Sequence, residues 1–501
     1  MQLRHKPAQG PFNTAELTII TATVLMASLL HALNMTTAYV ALPSIQGNLS
    51  AGPDQVGWII TAFVVASAVG TVLTGWLGTR LGRRRVFLGS IVGFTATSAL
   101  CGWATSLEEL VFYRAIQGFV SAPLLPISQA IMLDIYPRRR HGFAMSIWSM
   151  GMILGPVIGP TVGAMVTEWY GWRYVFLLNI PMGLIAFIGV FLTLPEGEKR
   201  AQRLDWIGVA ALIVAVVCLQ MMLDRGERLD WFGSTEIVVE LSLAVLAFYI
   251  FVVHCMTHDE PYINIAIFRD RNFAVGLALI FMFGVAVFSS LFILPVFLQN
   301  VQDYPVLAAG WMTSMRGIGT MIAMMMGGFF ADRLPAKYLI LTGVACVGVA
   351  NILMTSWNAD VGALEIMWLT MLSGFGMGVM WVTLTTVTFS TLAPEFRTEG
   401  ASMFALIRAI GASLGTSVIV AVIVRSSQVN YIELRDHITP YNDTLRNALP
   451  AWDLNTMAGL ASLQKLIVTQ AETIAYLNAF VFLVAVALAT APLVFLLRKN
   501  P

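Results

Sequence analysis

Four ionisable side chains lie deep within long apolar stretches of this sequence: His31, Arg114, Arg316 and Arg408. Burying a charge among apolar groups is costly, so such side chains usually serve a function. A buried guanidinium needs hydrogen-bond acceptors, which can be helix carbonyls, a neighbouring amide or a bound anion. Since the sequence places no carboxylate equally deep, Arg316 and Arg408 indicate a cavity that accepts weak acids or anionic amphiphiles. Their alternative role is to brace a neighbouring helix through its carbonyl groups.

A histidine side chain ordinarily titrates near neutral pH, so His31 is a candidate proton carrier. Asn34 lies three residues later, on nearly the same face of a helix, and forms hydrogen bonds without titrating. A neutral histidine packed against its neighbours is the alternative interpretation of His31.

Polarizable and aromatic side chains could line an adaptable apolar cavity. The candidates for such a substrate cavity are Met321, Phe292, Trp381 and Trp148. Ordinary helix packing or contact with lipid is the alternative for each of them.

The sequence contains no His, Asp and Glu cluster at the spacing of metal ligands and no glycine-rich phosphate loop. The four cysteines all lie in apolar runs, where a disulfide framework is not expected. We therefore predict no catalytic residue, no metal site and no bound cofactor. A membrane-embedded enzyme is only a remote alternative.

The elements that position these side chains must be membrane-spanning helices. Hydrophobic residues make up 57% of the 501 residues and charged residues 11%, against about 45–50% and about 25% in soluble domains. This composition excludes a soluble enzyme and a nucleic-acid-binding domain. Fourteen stretches are long enough to cross the hydrocarbon core as a helix, which takes about 20 residues. They are residues 17–43, 54–78, 86–105, 107–133, 142–166, 174–194, 205–223, 236–256, 273–298, 306–331, 338–357, 362–390, 399–424 and 474–497.

An even number of spans places both termini on one side of the membrane, and basic residues indicate which side is cytoplasmic. Most of the 29 lysines and arginines fall in segments on the side of the termini. We therefore expect a multi-pass membrane protein with both termini in the cytoplasm.

Two glycine-opened turns, Gly75 to Arg85 and Gly328 to Lys337, occupy corresponding places in the chain. Each follows the second helix of a six-helix half if spans seven and eight are treated as an insertion. Two such halves are typical of a transporter that rocks around a central site. The predicted division is a cytoplasmic tail (1–16), an N-terminal half (17–194), an inserted helix pair (195–258) and a C-terminal half (259–497) with a periplasmic loop (426–473).

Five motifs, in their order along the chain, resemble those of the major facilitator superfamily. The resemblance is to its fourteen-helix drug:proton antiporter branch and, within that branch, to EmrB-type (EmrB/QacA) multidrug efflux transporters. The motifs are a gating loop with Gly75, Arg80, Gly82 and Arg83, a helix 4 motif from Arg114 to Gly118, an antiporter helix motif with Gly151, Gly155, Pro156, Gly159 and Pro160, and the segments Trp172 to Pro181 and Leu223 to Phe232. The resemblance implies an all-α, polytopic major facilitator fold of two six-helix halves plus two inserted helices. Asp332 and Arg333 would form the second gating loop.

The resemblance also implies an efflux transporter of the inner membrane that exports hydrophobic or amphipathic drugs by alternating access and proton antiport. The proton gradient would be the driving force, and Arg114 and Gln117 would join His31 and Asn34 as proton-coupling candidates. The expected partners are small-molecule substrates, the lipid bilayer, a periplasmic membrane-fusion adaptor of EmrA type and an outer-membrane channel, but no nucleic acid. The alternative is a dedicated exporter of one metabolite, such as a siderophore or a fatty acid.

Two positions depart from the family pattern. Asn34 stands where EmrB-type relatives carry an aspartate, nine residues before Pro43, so the usual proton-carrier carboxylate is missing. Thr79 replaces the acidic residue that precedes the first loop arginine, whereas Asp332 precedes Arg333 in the second loop. Coupling could therefore run through His31, run through an acidic substrate, or be absent.

Overall fold

A computed structural model describes most of the chain as α-helix. The described residues are 14–50, 58–196, 205–227, 229–258, 261–263, 265–330, 334–358, 361–393, 396–436, 438 and 456–498. Helices dominate because, in an apolar solvent, a helix satisfies its own backbone hydrogen bonds within one segment.

The helices of the described chain are grouped according to the division predicted from the sequence. The N-terminal half contains α1 (Thr14–Asn48), α2 (Trp58–Arg80), α3 (Arg83–Trp103), α4 (Leu107–Ser121), α5 (Leu124–Ile135), α6 (His141–Tyr170), α7 (Arg173–Leu177) and α8 (Asn179–Thr193). The inserted pair is α9 (Trp206–Arg225) and α10 (Thr235–Thr257). The C-terminal half contains α11 (Arg271–Asn300), α12 (Val306–Phe330), α13 (Ala336–Met354), α14 (Ala363–Ser390), α15 (Arg397–Asp436) and α16 (Met457–Val494). Short 3-10 helices at Arg138–Arg140, Trp231–Gly233 and Ile265–Arg269 precede α6, α10 and α11.

The all-α polytopic fold predicted from the sequence is confirmed. Thirteen helical segments of the described chain are long and apolar enough to cross a membrane, judged by length and composition. The remaining predicted span, 306–331, corresponds to α12, which is 25 residues long. Two spans each comprise two consecutive helices, α4 with α5 and α7 with α8, so sixteen helices correspond to fourteen predicted spans.

Judged from the described residues, the two halves share a large apolar core at one end of the molecule. One apolar cluster combines residues of both halves, such as Phe87 and Trp148 from the first and Phe273 and Trp381 from the second. It lies where α1, α3, α6, α11, α13 and α15 begin, which is the end predicted to be cytoplasmic. At the other end, one cluster belongs to the first half alone and another to the second half alone. The halves are therefore joined at what we call the closed end and have separate cores at the opposite end.

The inserted pair packs over the boundary between α2 and α15. Its side chains form an apolar cluster with Ala68 and Val72 of α2 and Leu406 of α15. Asp205 caps α9 by accepting a hydrogen bond from the Gly208 N–H at 2.9 Å, and it pairs with His254 of α10 at 2.8 Å. Burial alone would raise the pKa of Asp205, but its hydrogen bonds, including one from Tyr262 N–H, lower it overall. These contacts tie the ends of the two inserted helices together.

The segment 426–473 differs from the loop predicted from its polar sequence. Helix α15 continues to Asp436 and α16 begins at Met457, so both flanks of the segment are helical. Asn478 of α16 donates a hydrogen bond to the Ser426 hydroxyl of α15 at 2.7 Å, which joins the two helices at the edge of this segment. Polar residues are compatible with a solvated helix, so polarity alone did not distinguish the two possibilities.

Candidate functional site

The antiporter helix motif lies in α6, and its glycines allow α1 to approach closely. A Cβ atom on Gly155 would lie 2.6 Å from the Ala32 Cβ, and one on Gly159 would lie 1.9 Å from the Thr36 hydroxyl oxygen. That hydroxyl donates a hydrogen bond to the Gly155 carbonyl at 3.1 Å. Small residues at four-residue spacing therefore create a tight helix pair, as in membrane bundles generally. Gly151 belongs to the same face of α6, opposite Leu25.

The backbone at Pro156 and Pro160 is helical, while their side chains lie outside what the structure describes. The assignment of this segment as an antiporter helix motif stays a prediction. Its place is nevertheless informative, because α1 is the helix that carries His31 and Asn34.

Asn34 is fully buried and faces a second asparagine. Asn179, at the start of α8, donates from its amide nitrogen to the Asn34 side-chain oxygen at 3.3 Å. The position at which the resemblance led us to expect an aspartate is thus one side of a neutral amide pair. Sequence reasoning missed Asn179, although a buried asparagine in the motif from Trp172 to Pro181 was an available signal.

His31 lies on the same helix beside the Phe63 ring, with 5.8 Å between ring centroids. It is partly buried, and no residue of the described chain accepts or donates a hydrogen bond at its Nδ1 atom. The charges of Arg408 and Arg114 both act on it electrostatically. His31 is therefore within electrostatic range of one cation of each half of the molecule.

Arg114 is fully buried and held on several sides. Its Nε donates to the Ile59 carbonyl at 3.2 Å and its Nη1 donates to the Gln117 side-chain oxygen at 2.7 Å. The guanidinium also lies over the Phe63 ring at 4.2 Å and near the Phe176 ring at 5.7 Å. Gln117 is fixed in turn, because its amide nitrogen donates to the Ser98 hydroxyl at 2.7 Å. The two residues that the helix 4 motif predicted to act together are therefore in contact.

Arg316 of α12 is also buried, with 4% of its surface exposed, but it lacks such a network. Its Nε and Nη1 atoms have no hydrogen-bond partner among the described residues. The Arg316 carbonyl accepts a hydrogen bond from the Thr320 hydroxyl at 2.8 Å, and α12 is helical around it. A buried cation with unsatisfied donors is costly, and a ligand with acceptor oxygens would satisfy it.

Arg408 of α15 is partly buried between two aromatic rings. Its guanidinium lies 5.9 Å from the ring centroids of both Phe288 and Trp381. Cation–π contacts of this kind hold a guanidinium without using all of its N–H donors. The structure thus brings Arg408 and Trp381, both predicted cavity residues, together.

The other cavity candidates are less clearly placed. Met321 is partly buried and Phe292 is 37% exposed, so each has surface free for a ligand or for lipid. Trp148 is 2% exposed and stacks on Trp381 across the boundary between the halves, with 6.2 Å between centroids and 17° between planes.

The first gating loop forms an ionic latch at the closed end. Arg83 pairs with Asp134 of α5, and Arg397, at the start of α15, pairs with the same carboxylate at 2.8 Å. Arg397 also donates to the Leu133 carbonyl at 3.1 Å. Because Arg397 belongs to the C-terminal half, this carboxylate links the two halves. Sequence reasoning did not relate Asp134 to Arg397, since nothing in their spacing along the chain connects them.

The glycines of this loop have separate structural roles. Gly82 has a φ of 90°, a conformation that favours glycine, at the turn between α2 and α3. A Cβ atom on Gly75 would lie 3.3 Å from the Glu399 Cα, so this glycine allows α2 to approach α15. Arg80 lies over the Trp76 ring at 4.8 Å. Asp332 and Arg333, the predicted second loop, lie outside the described residues.

Comparison with known proteins identifies the family. The chain matches the model of the Major Facilitator Superfamily over residues 24–416. It is 32% identical to multidrug export protein EmrB of Escherichia coli K12 over 443 residues, which is 87% of this chain and 85% of that protein. It is 30% identical to fatty acid resistance protein FarB of Neisseria gonorrhoeae over 437 residues, 87% of this chain and 86% of that protein.

Solved structures agree on the fold. The proton:xylose symporter XylE, a transporter of the same superfamily, matches with a TM-score of 0.61 and 16% identity over 94% of this chain and 97% of that one. The family match includes the first gating loop, the helix 4 motif and the antiporter helix motif. The chain therefore belongs to the major facilitator superfamily and, within it, to the EmrB-type multidrug export transporters.

Proposed function

We propose that this multi-pass membrane transporter exports hydrophobic weak acids and amphipathic anions from the cell by alternating access. The observation that carries the proposal is Arg316, a buried guanidinium with two donors that have no partner within the described chain. A carboxylate supplies two coplanar acceptor oxygens, a geometry that a guanidinium binds well. The apolar part of the substrate would lie among the surrounding aromatic and methionine side chains.

Arg408 of α15 supports the same substrate class. Its contacts are to the faces of Phe288 and Trp381, so an incoming anion can bind its N–H groups without breaking an ion pair. His31 is within electrostatic range of Arg408, so it would respond to an anion bound there.

Proton antiport driven by the proton gradient is the second part of the proposal. The amide pair of Asn34 and Asn179 does not titrate, so the coupling proton must use another group. His31 is our first candidate, because its Nδ1 has no partner in the part of the chain described here. An acidic substrate that carries its own proton is the alternative route.

A proton-flux assay tests the coupling. Purified protein is reconstituted in liposomes that contain a pH-sensitive dye, a hydrophobic carboxylic acid is added, and the wild type is compared with His31→Ala and Asn34→Asp. We expect substrate-dependent proton flux that is lost in His31→Ala while substrate binding survives. Flux that is unchanged in His31→Ala would assign the histidine to packing, and transport by the wild type without any flux would rule out proton antiport.

A substrate panel tests the anion site. Cells that express Arg316→Gln or Arg408→Gln are challenged with a hydrophobic carboxylate and with its neutral ester of similar size. We expect at least a tenfold loss of carboxylate export, since removing a charged hydrogen bond costs about 1.5–3 kcal/mol, and little change for the ester. Intact carboxylate export in the double variant would refute the anion site.

The proposal extends to the envelope around the transporter. We place the protein in the inner membrane with both termini in the cytoplasm, working with a periplasmic adaptor of EmrA type and an outer-membrane channel. The helical flanks of the segment 426–473 would be the adaptor's contact, because Ile432 of α15 and Leu460 of α16 are about half exposed. A photo-crosslinking residue at Ile432 should capture the adaptor in cells, whereas one at Leu246 on the exposed face of α10 should not.

A dedicated exporter of one metabolite is the second candidate function. The neutral Asn34–Asn179 pair favours it, because a transporter without the usual carrier carboxylate can use a different coupling. Export of a single compound from the panel above, without competition among unrelated compounds, would support this candidate against multidrug export.

A further inference from the structure

Trp148 of α6 and Trp381 of α14 are the two large side chains that meet face to face across the boundary between the halves. They are 2% and 3% exposed, and their rings stack with 6.2 Å between centroids and 17° between planes. Trp381 also packs against Phe283 at 5.2 Å and Phe404 at 6.2 Å, which anchors it within the C-terminal half.

Hydrogen bonds hold both indoles in this arrangement. Trp148 donates its N–H to the Ser128 hydroxyl of the same half at 2.8 Å. Trp381 donates its N–H to the Ser149 hydroxyl, which belongs to the other half. A buried indole N–H normally requires an acceptor, so Trp381 is satisfied only while the halves are together.

The position of the two tryptophans along their helices places them nearer the closed end than Arg316 and Arg408, the residues of the candidate anion site. Trp148 lies seven residues from the start of α6 and Trp381 nine residues from the end of α14, so both are about 10–14 Å from the closed end, at about 1.5 Å per residue. Counted in the same way from the ends of α15 and α12, Arg408 is about 17 Å and Arg316 about 21 Å from that end. The indole pair therefore lies between the candidate anion site and the ionic latch.

We propose that the Trp148–Trp381 pair is the inner gate of the transport pathway, closed in this structure. The inference rests on the proposed alternating access, in which the closed end must open for a substrate to enter from the cytoplasm. Opening separates the two rings and breaks the bond from Trp381 to Ser149. Both indole faces then line the entrance, where they would favour substrates with a planar aromatic group.

Cysteine labelling tests the gate without requiring transport. Ala144 lies one helical turn before Trp148 and is fully buried in the shared core, so a cysteine there reports on opening of the closed end. The four native cysteines are first replaced, and the rate of labelling of Ala144→Cys by a small maleimide is measured in purified protein. We expect Ser149→Ala and Trp381→Phe each to raise this rate about fivefold, because each removes one inter-half hydrogen bond worth about 1 kcal/mol.

Trp357 offers a matched control. It is 3% exposed, stacks on Phe297 at 5.9 Å and 18°, and donates its N–H to Glu365 at 3.2 Å, with all three residues in the C-terminal half. Trp357→Phe should therefore leave the labelling rate at Ala144→Cys unchanged. Unchanged labelling in both gate variants, or an equal rise in the Trp357→Phe control, would overturn the proposal.

The outcome is separable from that of the proposed function. Faster labelling in the gate variants supports the gate even if carboxylate export is absent, a result that would refute the anion substrate alone. Normal export together with unchanged labelling would refute the gate alone.

Discussion

Arg114 in the N-terminal half and Arg316 in the C-terminal half are both buried arginines in membrane helices, yet their surroundings differ. Arg114 has a carbonyl, an amide and two aromatic rings around it, and among the described residues only its Nη2 lacks a hydrogen-bond partner, whereas both Nε and Nη1 of Arg316 lack one. A buried cation with most of its donors satisfied is less destabilising than one with unsatisfied donors, unless a ligand binds the latter. Burial alone therefore does not identify a residue that binds substrate. The hydrogen-bond partners that the side chain has, or lacks, within the protein are the informative observation.

The largest expected difference concerns stability. Arg114→Gln removes two hydrogen bonds and the cation–π contacts, so we expect it to lower the free energy of unfolding by about 3 kcal/mol. Arg316→Gln should change it by less than about 1 kcal/mol, because no described partner loses a bond. Thermal unfolding of the two purified variants measures the difference. Equal losses of stability would break the comparison.

Ligand binding should give the next largest effect. A hydrophobic carboxylate at a hundred times its dissociation constant should stabilise the wild type by about 2.7 kcal/mol. Arg316→Gln should lose most of this stabilisation at the same ligand concentration, and the neutral ester should stabilise neither protein. The unfolding temperature with and without each compound is the readout. A full shift in Arg316→Gln would show that the carboxylate binds elsewhere.

Lysine substitutions should separate the structural role of Arg114 from the binding role of Arg316, with smaller effects on stability and export than the glutamine substitutions. Lysine keeps the charge but lacks the planar fork of donors, so Arg114→Lys cannot reach Ile59 and Gln117 as arginine does and should cost about 1–2 kcal/mol of stability. Arg316→Lys should retain carboxylate export within about threefold, since a point charge still attracts an anion. Thermal unfolding and export assays of both lysine variants measure these effects. A complete loss of export in Arg316→Lys would mean that the site requires two aligned donors.

The smallest expected effect is on the pH dependence of stability, through Asp205 at the inserted helix pair and away from both arginines. The pKa of Asp205 is lowered overall in the folded state, so its stabilising contribution is present above the ordinary aspartate pKa of about 3.9 and is lost as the pH falls through the lower folded value. Asp205→Asn should flatten the acid limb of the stability profile and leave the difference between Arg114→Gln and Arg316→Gln unchanged. An altered difference would show that the inserted helices couple to one of the arginines.

The sequence predicted the elements better than the contacts between them. Apolar runs located the spans to within a few residues for most helices, because length and hydrophobicity are local properties. The pairing of Arg114 with Gln117 was also accessible, since three residues separate them on one helix. Asn179 beside Asn34 and Arg397 beside Asp134 were missed, because such pairs depend on how distant helices pack.

The segment 426–473 also shows that local sequence properties do not reveal the effect of neighbouring helices. Its polar composition predicted a loop, whereas the described flanks are helices, because the choice between a solvated helix and a loop depends on neighbours such as Ser426 and Asn478. The contrast between Arg114 and Arg316 was likewise invisible in the sequence, where both are single arginines in apolar runs.

Helix α15 is an unbroken helix of 40 residues, and its length has a mechanical consequence. Such a helix is about 60 Å long and acts as a lever, so a tilt of about 10° around its middle moves each tip by about 5 Å in opposite directions. Arg397, at one end of the helix, forms an ion pair with the carboxylate of Asp134, and the other end of the helix is Asp436. Breaking the ion pair at one surface of the membrane would therefore displace the far end of α15 by rigid-body tilting, without a chain of side-chain rearrangements between the two surfaces.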